Sequence, residues 1–386
     1  MQNFVFHNPT RIIFGSGQIA RVGGEVKKWG KKVLLVYGQG SIKKNGIYDK
    51  VTSSLREAGI TVIEYPGVKS NPVLSHVQGG IELAKREGVE VILAVGGGSV
   101  IDSAKAIAAG ARVEHDVWDF FTFAKPIHDA LPIITVVTVS ASASEMNGGA
   151  VLTREDGAFK FGISSPFLYP RVSILDPTAL FSLDAKYTAY STVDILVHMW
   201  EGYFNGAERA PVLQDRLVEA LTKTIMESTE TALKEPENYD ARANIMWGSV
   251  LAFNGLTTSG VGRAPYPAHM IEHSLSALYD IAHGAGLAIV LPAWMEFARE
   301  EKAERFARLG REIFGLTGDD RTIAGKTIQK VKKWFSSIGC PVTLSEAGIP
   351  PHDIRRIAEN AVHLAELWRM KDYTKEVITQ ILEFAL

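Results

Sequence analysis

Four of the chain's ten histidines fall in two short stretches of its second half: Asp194-Ile-Leu-Val-His198, and His269-Met-Ile-Glu-His273 followed, after nine intervening residues, by His283-Gly284. Residues four apart on a helix share a face, so Asp194 and His198 can address one ion, and His269 and His273 repeat that spacing. His283 opens the element that follows. Two helices and a turn can thus converge one carboxylate and two or three imidazoles on a divalent cation. Such a donor set suits Fe(II) or Zn(II), not the all-oxygen cages of Ca or Mg. One Asp/His pair at this spacing is common in ordinary packed helices; two pairs and a further histidine in otherwise apolar segments are not. Met270 follows His269, so the stretch is not the H-E-x-x-H of zinc proteases. Spacing leaves open whether His269 or His273 is the ligand.

The first half carries a different chemistry. An apolar run over residues 91–95 enters Gly96-Gly97-Gly98-Ser99, and Val100-Ile-Asp102-Ser-Ala-Lys105 continues with helical character. Glycines let main chain approach a phosphate, and the amides at a helix start donate to it. The motif is neither G-x-G-x-x-G nor a P-loop, so a tight strand-to-helix turn with no ligand is the plain alternative. A second turn, Gly38-Gln39-Gly40-Ser41, follows the run at residues 33–37. It lacks the acidic residue that NAD sites often set against the ribose 2′-hydroxyl, and Lys43 and Lys44 suit a 2′-phosphate. The expectation is NADP ahead of NAD.

These groups need elements to hold them. Residues 33–37, 61–65, 91–95, 133–137 and 172–175 read as strands, several of them continuously apolar as strands buried on both faces are. Helical spacing lies between them, at 51–58 and 77–86. Alternation of this kind predicts an α/β, Rossmann-like dinucleotide-binding domain over residues 1–183. Asp176-Pro177 ends the last strand. Beyond it the periodicity is helical at 187–204, 212–233, 241–253, 268–279 and 303–314, which predicts an all-α metal-binding and catalytic domain over 184–386.

Composition narrows the classes. With 41 basic and 43 acidic residues intermixed, no basic stripe marks a nucleic-acid binder. A single cysteine, Cys340, excludes an internal disulfide and fits a reducing compartment, with inert packing its expected role. The start lacks signal-peptide character, and the uncharged stretch over residues 130–144 is too short to span a bilayer. The protein is expected to be cytoplasmic, with no membrane partner. Trp200, Trp247, Trp294 and Phe253 are candidates to line an apolar pocket, although such aromatics are more often core.

Taken together, the segments resemble the iron-containing alcohol dehydrogenase family, above all its butanol dehydrogenase and NADPH-dependent aldehyde reductase branch. The likeness runs through residues 8–17, 96–105, 175–177, 194–198, 234–247 and 269–284, in order. It implies a metal held by Asp194, His198, His269 and His283, with His273 beside the reacting atoms as a proton relay. It implies that Gly96, Gly97, Gly98 and Ser99 hold the pyrophosphate, with Asp102 in the same motif, and that Gly38, Gly40 and Ser41 surround the adenosine ribose. Asn71, Thr138, Ser142, Asn147 and Lys160 match further cofactor contacts. The implied fold is that of dehydroquinate synthase and glycerol dehydrogenase, with the active site in the cleft between the domains and a homodimer as the assembly. The implied reaction passes hydride between a primary alcohol or its aldehyde and NAD(P).

Two departures stand out. The family's Pro-Thr-Thr-Ala-Gly-Thr-Gly-Ser-Glu appears as Val137-Thr-Val-Ser-Ala-Ser-Ala-Ser144-Glu145, without its glycines, and an aromatic cofactor contact is replaced near Ala179. Three rival readings share the scaffold. A dehydroquinate synthase needs a basic cluster, and only Arg263 is near the histidine motifs. A glycerol dehydrogenase-like polyol enzyme is closer. An inactive nucleotide-binding regulator is disfavoured because all four ligand residues are present.

Overall fold

A computed structural model describes residues 1–206 and 211–386. They form two compact units. One comprises residues 7–183 and 236–250, the other residues 1–6, 184–235 and 251–386.

The first unit is built on a parallel six-stranded sheet of β1 (Arg11–Phe14), β2 (Lys32–Tyr37), β3 (Thr61–Tyr65), β4 (Val91–Gly96), β5 (Ile133–Val137) and β8 (Val172–Leu175), in the order β1-β8-β5-β4-β2-β3. All five strands read from the sequence are present. Their apolar continuity has a direct cause. Leu34, Val36, Ile92 and Ala94 point into one core, with the helices Leu74–Glu87 and Gly98–Gly110. Val33, Leu35, Val91, Leu93 and Val95 point into the other, with Ile47–Glu57. Alternate residues face opposite sides of a strand, so a strand covered on both sides shows no polar face. Strand β1 is an edge, with only Ile13 fully buried, and its pattern is too short to read. The antiparallel hairpin of β6 (Gly149–Arg154) and β7 (Phe159–Ser164) forms a separate two-stranded sheet.

The second unit is helical. It contains Ala185–Asn205, Val212–Lys234, Pro267–Tyr279, His283–Phe297, Ala303–Phe314, Asp320–Ser337, Ile354–Leu367 and Lys375–Glu383, with no strand among its described residues. The helix His283–Phe297 is buried without a break from Gly284 to Met295 and packs on both Ala185–Asn205 and Pro267–Tyr279. No helix among the described residues is long and apolar enough to cross a membrane.

A cut at residue 183/184 follows the chain, while the contacts depart from it twice. Residues 236–250 belong with the sheet, where Met246 and Val250 join its core and Trp247 meets Phe14 edge-on at 6.0 Å. Residues 1–6 go with the helices, where the Gln2 amide donates to the Gly260 carbonyl at 2.9 Å.

Candidate active site

In the helical unit three helices bring the predicted metal ligands together. Asp184 caps the first, accepting the Tyr187 amide at 2.7 Å, and ten residues on the helix presents Asp194 and then His198. Pro267 opens the second, which carries His269 and His273; its last turn closes on Asp280 in the left-handed region. His283 is the first residue of the third. Around the single oxygen Asp194 Oδ1 lie His198 Nδ1 at 3.1 Å, His283 Nε2 at 3.6 Å and His269 Nε2 at 3.8 Å. His273 is buried one ring further out. Its ring centroid is 5.7 Å from that of His283 and 5.6 Å from that of Trp368.

Asp194 Oδ1 and His269 Nε2 are both buried with no hydrogen-bond partner. Unmet polar atoms in a protein interior are costly, and two facing one another are an arrangement that a shared cation resolves. Ligands about 2.1 Å from a tetrahedral ion would stand about 3.4 Å apart, close to the 3.6 and 3.8 Å that separate Asp194 Oδ1 from Nε2 of His283 and His269. The donor set of one carboxylate and imidazoles fits a transition metal. Electrostatics point the same way. Burial disfavours protonation of His269, yet the Asp194 and Glu201 carboxylates outweigh it and raise the group to about 9. Burial likewise opposes charge on Asp194, but His198 and His283 hold it well below the usual carboxylate range. The buried carboxylates thus favour positive charge beside them.

Sequence reasoning missed two carboxylates here. Glu201 and Glu272 are fully buried, and they accept hydrogen bonds from Nδ1 of His269 and Nδ1 of His283. A signal existed: Glu201 lies seven residues after Asp194 on the same helix face, and Glu272 three after His269. Among the candidate pocket aromatics, Phe253 lies 4.2 Å from the His198 ring. Trp200 and Trp294 are core, bonded to Thr222 and Tyr373, and Trp247 belongs to the other unit. Arg263 spends its guanidinium on the Trp368 carbonyl at 3.0 Å.

In the α/β unit the two glycine turns end neighbouring strands. From β2 the chain moves outward to β3 and then returns past β2 to β4, so the strand order reverses between β2 and β4. Crevices at the carboxyl ends of strands where order reverses are where such sheets bind nucleotides. Gly38 and Gly40 follow β2; Gly97, Gly98 and Ser99 follow β4, and Asp102 lies a turn into the helix. A Cβ on Gly98 would stand 2.4 Å from Ser142 Oγ, so the glycine leaves room for that hydroxyl beside the turn. Thr138 leaves β5 with its amide on the Gly96 carbonyl at 3.0 Å. Asn147 donates to the Ser142 carbonyl at 3.0 Å, and Lys160 donates to Asn71 at 3.1 Å. The candidate dinucleotide residues thus fall along one connected rim.

Behind that rim sits a buried ion cluster that the sequence did not disclose. Lys105 donates to Ser144 Oγ at 2.9 Å, to the Asn147 carbonyl at 2.9 Å and to the Gly149 carbonyl at 2.6 Å. Asp102 accepts Ser144 Oγ at 2.6 Å and the Val151 amide at 3.0 Å. Burial lowers Lys105 to about 8 against the pull of Asp102 and Glu145, and burial raises Glu145 to about 7.

The sheet with its glycine turns, and the helical unit with its Asp/His cluster, define a two-part dehydrogenase scaffold. Residues 9–177 match the family model described as iron-containing alcohol dehydrogenase, and residues 188–386 match that of the Fe-containing alcohol dehydrogenase family, C-terminal. The chain is 40% identical over 389 residues to a probable NADH-dependent butanol dehydrogenase of Bacillus subtilis, covering 100% of both chains. It is 35% identical to the NADPH-dependent aldehyde reductase YqhD of Escherichia coli, again over 100% of each. Its fold superposes with a TM-score of 0.96 on the crystal structure of an NADH-dependent butanol dehydrogenase A from Thermotoga maritima, 46% identical, covering 100% of this chain and 99% of that one. The chain belongs to the iron-containing alcohol dehydrogenase family and is an NAD(P)-dependent, metal-containing alcohol dehydrogenase.

Proposed function

We propose that the chain interconverts short primary alcohols and their aldehydes, butanol and butanal among them, with Asp194, His198, His269 and His283 holding one Fe(II) or Zn(II). The observation that carries this reading is the unpaired, buried pair Asp194 Oδ1 and His269 Nε2, with His198 and His283 beside it. When bound, the cation supplies Lewis acidity toward the substrate oxygen and the nicotinamide supplies or accepts hydride. The protein's residues do the rest. Asp194 offsets part of the cation's charge. Phe253 and Tyr266 cover the His198 and His269 rings and keep water from that side. His273, buried beside His283, is the group placed to move a proton, because an imidazole titrates in the useful range. Gly96, Gly97, Gly98 and Ser99 take the pyrophosphate, Gly38, Gly40 and Ser41 the adenosine ribose. Asp102, Asn71, Thr138, Ser142, Asn147 and Lys160 position the remainder.

Between the two dinucleotides, the lysines after Ser41 favoured NADP on sequence grounds. Two observations now support NADH. Lys43 is drawn to Glu64 at 3.8 Å and lies over the Tyr48 ring at 4.6 Å, while Tyr37 donates to Glu64 at 2.6 Å. Relatives at 40 and 41% identity are described as NADH-dependent. We further infer a cytoplasmic homodimer.

The test is a panel of butanal, propanal and glyceraldehyde with NADH and NADPH, on protein purified without air or chelator and assayed for bound metal. Butanal reduction, faster with NADH, is expected. His198→Ala should lose the metal and about a thousandfold or more in kcat, several kcal/mol of Lewis-acid stabilisation being removed. Turnover of no aldehyde, or an H198A variant as active as the parent, would overturn the proposal.

A further inference from the structure

We propose that Glu201 and Glu272 are positioning residues that fix His269 and His283 in the tautomer that leaves Nε2 to the metal; the inference rests on the ligand set just proposed. A neutral imidazole donates from one nitrogen and offers a lone pair on the other, and the partner of the first decides which is which. All three rings are held at Nδ1. His198 Nδ1 meets the main-chain carbonyl of Asp194 at 2.8 Å, and His269 and His283 donate to Glu201 and Glu272. Nε2 of His269 and Nε2 of His283 are thereby left as the donor atoms, 3.8 and 3.6 Å from Asp194 Oδ1.

The two carboxylates also fix position. Glu201 accepts the Ala268 amide at 2.6 Å and the His269 amide at 3.2 Å. These are among the first amides of the helix Pro267–Tyr279, which have no partner within their own helix. One side chain therefore caps this helix and aims the ring it carries. Glu272 reaches from the same helix to the first residue of the next, and Ser276 donates to it. A Cβ on Gly286 would stand 2.7 Å from Glu272 Oε1, so the following helix is cut away where the carboxylate lies. Fully buried carboxylates in apolar helices are expensive unless their charge is answered. Here the answer is an imidazole N–H backed by a cation, the arrangement that raises ligand basicity and sets ring orientation.

The experiment uses Zn(II) and the full chain. The variants Glu201→Gln and Glu272→Gln keep the shape and one acceptor oxygen but remove the charge. Competition with a chelating dye should show zinc bound about 10- to 100-fold more weakly in each. Glu219→Gln, at a buried carboxylate bonded to Tyr203 and Arg308, should bind zinc as the parent does. Long-range proton–nitrogen spectra of the zinc-loaded parent should show His269 and His283 protonated at Nδ1. That measurement keeps the inference open to refutation even if a variant fails to fold. Parent-like zinc affinity in a folded E201Q or E272Q, or an Nε2–H tautomer at either ring, would overturn the inference. A parent that shows no zinc-dependent change at these histidines would instead overturn the ligand set beneath it.

Discussion

Ala143 holds φ 49, in the left-handed region, and its side chain is fully buried. A side chain there crowds its own main chain and costs about 1–2 kcal/mol, which glycine escapes. Ala143 stands where the family's Pro-Thr-Thr-Ala-Gly-Thr-Gly-Ser-Glu stretch has its second glycine. Ala143→Gly is therefore expected to stabilise the protein by about 0.5–1 kcal/mol, the relief being partly offset by the freer unfolded chain and the lost methyl. A urea titration checks it, and a lower midpoint would mean that methyl packing outweighs the strain. Glu145, two residues on, has a buried Oε1 without a partner, and burial raises the group from 4.5 to about 7. A raised folded value means that the folded state holds the proton more tightly than the unfolded chain. The stability this gives is complete below pH 4.5 and is lost as pH rises through about 7. Glu145→Gln removes the titration, so its stability relative to the parent should climb across that window and level off above it. A constant difference between pH 4.5 and 7.5 would show that Glu145 is not the source.

At the scale of elements, the site depends on how closely the helices Ala185–Asn205 and His283–Phe297 approach. A Cβ on Gly284 would fall on the Tyr190 carbonyl, a main-chain contact that no side-chain rotation relieves. Gly284→Ala must push the helices apart next to His283, which stands 3.6 Å from Asp194 Oδ1. Metal retention should fall and kcat should drop about 100-fold, the usual penalty for a shift near 1 Å, with dinucleotide affinity unchanged. Plasma emission spectrometry and NADH titration together check this; parent-like metal content would show that the helices absorb the methyl. This helix also shows where the sequence was legible and where it was not. Asp194 and His198 could be paired because they recur at helical spacing on a periodic segment. The helix after His283 is buried all round, so it has no polar face for periodicity to reveal. The burial of Glu201 and Glu272 is not legible in the sequence, because a glutamate on a helix is normally a solvated residue and only the fold shows these two fully buried. The hairpin of β6 and β7 was missed for a related reason. Its strands are half-buried without strict alternation, and they pair with each other, not with the main sheet.

For the whole molecule, fold class followed from the change of period near residue 184, but assignment of residues 236–250 to the sheet unit did not. That segment is helical like its neighbours, and only the burial of Met246 and Val250 against the sheet core sets it apart. The division matters for how ligands act on stability. The candidate metal ligands all lie in residues 184–235 and 251–386, and the candidate dinucleotide residues all lie in residues 7–183. A ligand that binds only the folded state stabilises it by RT ln(1 + [L]/Kd), about 2.7 kcal/mol at a free concentration a hundred times Kd. The metal's share should therefore be read out in the helical unit. Chelation is expected to speed amide exchange in Ala185–Asn205, Pro267–Tyr279 and His283–Phe297 while leaving β2, β4 and β5 unchanged. Adding NADH to the chelated protein should instead slow exchange in the turns after β2 and β4. Hydrogen exchange followed by mass spectrometry resolves these peptides separately. Uniform loss of protection across both units on chelation would mean that they unfold as one cooperative body, and that the metal holds together more than the three helices that carry its ligands.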